Sequence, residues 1–126
     1  MGLTLGGTSI IFNDGTTQTT SAAGVVSLAL NGYQKLPSGL IVQWCRGGAY
    51  STGNYNTSWS LTFPIAFPTA CLNVVSSGYF TAQGSQNQSV CQVGSFTTTG
   101  ATGMFFSGNN GNAGATMYPV VFAVGY

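Results

Sequence analysis

Apolar residues recur at every second position along much of this chain, and almost nowhere at the three-and-four spacing of an amphipathic helix. Trp59, Leu61 and Phe63 alternate with Ser58, Ser60 and Thr62, the cleanest half-buried strand in the sequence. Leu40, Val42 and Trp44 share one face of an earlier strand, with Ile41, Gln43 and Cys45 on the other. Residues 71–77 form a third strand, with Leu72 and Val74 on one face. Residues 90–96, 102–107 and 118–126 complete the set, and in the last of these Val120, Phe122, Val124 and Tyr126 line one face. The best run of helix formers, Ser27-Leu28-Ala29-Leu30, is short and flanked by Gly24 and Gly32. The pattern predicts an all-β chain, a β-sandwich-like head of about six antiparallel strands over 31–126.

Upstream, residues 1–30 read as a Thr- and Gly-rich extended arm. Within it, Asn13-Asp14-Gly15 separates Ile10-Ile11-Phe12 from Thr16-Thr17-Gln18-Thr19-Thr20. Asp-Gly between two β-prone runs predicts a hairpin, because both central positions tolerate positive φ.

The connections differ in character. Residues 47–57, 78–89 and 108–117 are long, polar and rich in Gly and Asn, whereas 64–70 and 97–101 are shorter or stiffer. An up-and-down meander of six strands would place the three long loops at one end. The two short links, the arm and the C-terminus would then lie at the other.

Composition narrows the chemistry. Charged side chains are 2% of the chain, namely Asp14, Lys35 and Arg46, and histidine is absent. Two cations are too few for nucleic-acid binding, which rests on neutralising phosphates. Without histidine there is no Ser-His-Asp or Cys-His arrangement and no histidine-ligated metal. Glycoside hydrolysis generally needs two carboxylates in different roles, and one chain offers only Asp14. No catalytic residues, metal ligands or cofactor are therefore expected, and the chain is read as a binding or structural protein rather than an enzyme. Hydrophobic residues, at 44% including 16 aromatics, are ample for a core.

No window holds the ~18 apolar residues that a membrane helix requires, so no membrane insertion is expected. The N-terminus has neither the basic region nor the apolar run of a signal peptide. Cys45, Cys71 and Cys91 are an odd, widely spaced set, which favours packed free thiols over a disulfide framework.

Four segments carry a family resemblance. Residues 31–44 (NGYQKLPSGLIVQW) resemble the opening of a C-terminal domain of tailed-phage tail fibres, the Gp53-like type. Phe63-Pro64-Ile65-Ala66-Phe67-Pro68 is similar to its FPxxFP signature, and Phe122-Ala123-Val124-Gly125-Tyr126 to its aromatic-Ala-Ile-Gly-Tyr ending, with Val124 in place of Ile. Residues 11–19 resemble the DGTxQT segment that precedes fibre heads. The resemblance implies a homotrimeric fibre-tip head on the virion, made in the host cytoplasm with unpaired cysteines. It also implies that the chain is the end of a longer protein, with Met1 a truncation start. Its implied partner is the host surface, a lipopolysaccharide glycan or an outer-membrane protein. Scarce charge suits such symmetry, since each charge would recur three times around the axis, within a Debye length of roughly 8 Å near it.

The resemblance assigns no binding residues, because the long loops carry none of its motifs. The residue types do nominate some. Tyr50, Tyr55, Tyr79 and Phe80 lie in or beside those loops, where flat rings stack on sugars or anchor protein surfaces, or where one or two of them cap the core. Asn54, Gln83, Gln86, Asn87, Asn109, Asn110 and Asn112 supply amides for hydroxyl groups, or simply form turns. Arg46, at a strand end, is the candidate for a phosphate or carboxylate, or else makes an intersubunit contact to a carbonyl or an aromatic face. Trp44 and Trp59 read as core. The loop spans hold no formal charge and suit a neutral glycan. The alternative is a trimerisation or capping domain that makes no receptor contact.

Overall fold

The computed structural model of the chain describes residues 10–11, 13–15, 17–18, 25–51, 56–81, 89–107 and 116–126. Among them lie eleven strands: β1 (Ile10–Ile11), β2 (Thr17–Gln18), β3 (Val26–Ser27), β4 (Gly32–Lys35), β5 (Ile41–Arg46), β6 (Tyr50–Ser51), β7 (Asn56–Thr62), β8 (Cys71–Phe80), β9 (Ser89–Phe96), β10 (Gly100–Ser107) and β11 (Thr116–Gly125). The strands β1 and β2 pair antiparallel as a hairpin, Ile10 opposite Gln18. Gly15 makes its turn at φ 81°, the left-handed conformation the Asp-Gly pair supplies.

All six strands expected in the head are present, but they do not form a meander. A large sheet runs β3-β4-β5-β11, with β8 on the other edge of β11, while a second sheet runs β7-β10-β9. A single six-stranded meander would leave one apolar face without a partner layer, and crossing between sheets covers it. The C-terminal strand β11 thus becomes central, flanked by β5 and β8. Pro119 has no amide hydrogen for the ladder. Opposite it the partner run breaks at 47–49, where Gly47 N–H donates to Pro119 O at 2.8 Å, and resumes as β6.

The expected grouping of strand ends survives this change of topology. Arg46 pairs with Val120 and Phe80 with Met117, while in the second sheet Phe106 pairs with Asn56 and Ser107 with Ser89. The strand ends flanking 52–55, 82–88 and 108–115 therefore lie at one end of the sandwich. At the other, Ile41 and Cys71 flank Gly125, and Thr62 pairs with Gly100. The N-terminal strand of the head joins at that second end, since Lys35 N–H donates to Val25 O at 2.8 Å.

The second end is sealed by 63–68. Phe63 and Phe67 meet edge to face at 5.4 Å and are buried, and their amides donate to Thr99 O and Thr98 O. Gln43, 0% exposed, holds the middle of this link: its Nε2 donates to Ile65 O at 2.9 Å, and its Oε1 accepts from Ile65 N–H at 3.0 Å. A buried amide is tolerable only when both ends are bonded, as here.

Two face assignments, in β5 and β8, differ from the sequence reading, while the β11 set shares one face as expected. In β5, Ile41, Gln43 and Cys45 point inward, leaving Val42, Trp44 and Arg46 outside. In β11 the buried set is Met117, Pro119, Val121, Ala123 and Gly125, so Val120, Phe122, Val124 and Tyr126 face out, with Phe122 47% exposed. In β8 a bulge at Leu72 lets Val124 pair with Asn73 and Gly125 with Cys71, so Leu72 does not share the burial of Val74. The inner layer has little room. Trp59 lies against Gly103, where a Cβ would collide with the indole and with Gln92 O, and it contacts Phe105 at 6.5 Å between ring centroids. Small and medium side chains of the large sheet fit over these rings, and the bulky set goes to the opposite face. Trp59 is core as expected, whereas Trp44 is half-buried on the outer face, its Nε1–H donating to Ala29 O at 3.0 Å.

Candidate functional site

The loop end of the large sheet carries the described candidates. Arg46 ends β5 two residues beyond the reach of β4, whose ladder stops at Gly32 opposite Trp44. The Asn31 side chain continues that ladder. Its Oδ1 accepts from Arg46 N–H at 2.8 Å and its Nδ2 donates to Arg46 O at 3.4 Å. With its backbone so fixed, Arg46 extends over the outer face. Tyr79 and Tyr118 are directly paired across β8 and β11, with ring centroids 5.9 Å apart. The guanidinium carbon stands 5.3 Å from the Tyr79 ring centre and 5.1 Å from that of Tyr118. Tyr79 remains 47% exposed. The aromatic contact foreseen as one alternative for Arg46 is thus made within the chain.

Tyr50 and Phe80 turn the other way. The Tyr50 hydroxyl donates to Ser60 O at 3.0 Å and accepts from Ser60 N–H at 2.9 Å, tying β6 to the edge of β7, and its ring meets Phe105 at 6.2 Å. Phe80 packs against the core as a half-buried ring. Asn54, Tyr55, Gln83, Gln86, Asn87, Asn109, Asn110 and Asn112 lie outside the described residues. Tyr118 was not nominated from the sequence. Its alternation with Val120 and Phe122 put it on their face, but its proximity to Arg46 depends on β5 and β8 flanking β11, a long-range pairing without a local signal.

The second sheet presents a different outer surface. Ser60, Thr62, Ser95, Thr97, Thr99 and Thr102 help line a shallow groove of about 380 Å³. Its hydroxyls bond one another, Ser95 to Thr102 at 2.8 Å and Thr97 to Thr99 at 3.1 Å. Among the described residues no group of three or more His, Cys, Asp or Glu side chains is placed to hold a metal, and no helix is long and apolar enough to cross a membrane.

All three cysteines are free thiols, and burial raises each pKa from 9.0, that of Cys45 to about 11. For Cys91 the neighbouring Ser76 and Trp59 side chains oppose that rise. Between pH 9 and about 11 the unfolded chain ionises at Cys45 while the folded chain holds the proton, so stability falls as pH rises. Urea unfolding midpoints are expected to drop across that interval, and to drop less in a Cys45→Ala variant. An equal drop would place the linkage elsewhere.

The described head is two antiparallel β-sheets enclosing one apolar core, an all-β domain. Residues 35–126 match the family described as tail fiber protein gp53-like, C-terminal, and the chain belongs to that family. The N-truncated R1-type pyocin tail fibre is similar in structure, with a TM-score of 0.67 and 32% identity, over 82% of this chain and 88% of that one. A longer P. aeruginosa R1 pyocin fibre has a TM-score of 0.66 and 33% identity over 82% of this chain, which spans only 29% of it. In sequence, the uncharacterised protein MJ0347 of Methanocaldococcus jannaschii is 35% identical over 101 residues, 76% of this chain and 63% of that protein. The chain is thus a tail-fibre C-terminal domain of the phage and pyocin type.

Proposed function

We propose that this domain is the homotrimeric tip of a tail fibre and attaches the particle to the host-cell surface without catalysis, through a lipopolysaccharide glycan. The observation that carries the reading is the convergence of strand ends. The segments 52–55, 82–88 and 108–115 all leave and rejoin the sandwich at the end opposite Val25, where the arm joins. A fibre shaft approaching through the arm leaves that end pointing outward. Trimer formation is supported by the large sheet, whose outer face carries Val42, Trp44, Val75, Phe122 and Val124. An antiparallel sheet with two apolar faces needs cover on both, and identical copies repeat each weak sugar contact threefold, raising apparent affinity through effective concentration.

The test is binding of the full chain to a panel of Gram-negative cells and to their purified lipopolysaccharide. Replacing 82–88 by a Gly/Ser segment of equal length is expected to weaken binding at least about tenfold, the scale of ~1.4 kcal/mol, while the sedimentation coefficient stays unchanged. Lipopolysaccharide size is expected to be unaltered by incubation. A loop variant that binds normally removes the loops from the site, and shortened polymer makes the head a depolymerase. Tyr50 is a poor probe, because its truncation breaks two backbone contacts and lowers stability.

A further inference from the structure

We propose that Arg46, Tyr79 and Tyr118 form a binding site for the anionic substituent of a surface sugar, a phosphate or a carboxylate. The inference rests on the glycan-attachment reading and names the part of the ligand that this corner of the sheet takes.

Three observations converge. First, Arg46 is the chain's single arginine and is held at a fixed backbone position by Asn31. Second, its charge lies over two rings, 5.3 Å from the centre of Tyr79 and 5.1 Å from that of Tyr118. A guanidinium stacked on aromatic faces keeps its planar N–H fork, the geometry that accepts phosphate or carboxylate oxygens two at a time. Third, acids are scarce in the chain. The one acidic side chain, Asp14, is on the hairpin turn, and the C-terminal carboxylate is eight residues along β11 from Tyr118, roughly 26 Å at strand rise. The place is also right, since Arg46, Tyr79 and Tyr118 sit at the end where the three segments leave the sandwich. Tyr79, 47% exposed in the single chain, pairs with Tyr118 at the loop end of the outer face, four residues or roughly 13 Å along β11 from the Phe122 patch, and leaves ring surface beside the cation for the sugar's C–H face. A neutral sugar would use the ring and amides alone; an anionic one adds charge-assisted hydrogen bonds, about twice as strong as neutral ones.

The experiment titrates the full chain with glucose 6-phosphate and galacturonate, each against its neutral parent, glucose or galactose. Binding is read by NMR at the Arg46 Nε–H and at the Tyr79 and Tyr118 ring protons. At least one charged sugar is expected to bind about tenfold or more tightly than its parent, with the largest shifts at these three residues. Arg46→Gln is expected to abolish that preference. Preference for the phosphate alone or the carboxylate alone names the source of the anion. Equal binding of charged and neutral sugars, or shifts centred elsewhere, overturns the site. The shift map of the unsubstituted chain decides even if the variant folds poorly. If cells are bound but charge gives no preference, this site falls and glycan attachment stands; if no cell is bound, attachment itself falls.

Discussion

Phe122→Glu is expected to convert the assembled head into folded monomers. Phe122 projects from the middle of β11 on the outer face, between Trp44 of β5 and Val75 of β8, and is 47% exposed in the single chain. It is the centre of an uncharged patch whose flanks, Val42 and Val124, are apolar as well. A carboxylate there costs the isolated chain little, because solvent reaches it. In an interface it would be desolvated without a partner, a cost of several kcal/mol per ion, repeated in each copy. Sedimentation velocity at micromolar concentration is expected to show monomers, with the β-sheet circular dichroism unchanged. Ser60→Glu, on the hydroxyl-lined outer face of the second sheet, is expected to leave the assembly intact. If the effects of the two variants are reversed, copies meet through the second sheet.

The largest expected effect on folding is at Gln43. Replacing it with Leu keeps the volume but strips Ile65 of both partners inside the sealed end. Two orphaned backbone groups at ~1–3 kcal/mol each give a loss of about 3 kcal/mol, seen as a lower urea midpoint. Gln43→Glu separates packing from bonding. At neutral pH a carboxylate would face Ile65 O with no proton to donate, and its burial raises its pKa above the ordinary ~4.3. The protonated form restores both bonds. This variant is therefore expected to gain stability, relative to the unsubstituted chain, as pH falls through the raised pKa. A constant difference across pH would mean that water satisfies Ile65 instead.

Much of the frame was legible because it is local. Alternation of period two located six of the eight strands described in 31–126, missing the short β4 and β6, and Asp14-Gly15 located the hairpin turn. Pairing was not legible, since nothing near β11 in sequence says that β5 and β8 will flank it. The choice of face failed in β5. There the bulkier set, with Trp44, reads as core, yet the rings of Trp59 and Phe105 already fill the space beneath. Gln43 was hidden by the same ambiguity, because a polar residue reads as solvent-facing until its partner, the Ile65 backbone, is in place. Of the proposed site, Arg46 and Tyr79 are nominated by residue type and position. Tyr118 needs the β8–β11 register, and Tyr50 and Phe80 turn inward, the alternative in which a ring beside a polar loop caps the core.

The sealed end and the open end also divide the work of evolution. The groups that hold the sealed end, Phe63, Phe67 and Gln43, lie away from the strand ends that bracket 52–55, 82–88 and 108–115. Segments spliced in at those brackets would inherit a folded frame whatever their own sequence. New surfaces can then be sampled by insertion, deletion or recombination at three positions, with the frame's folding free energy left out of the bargain.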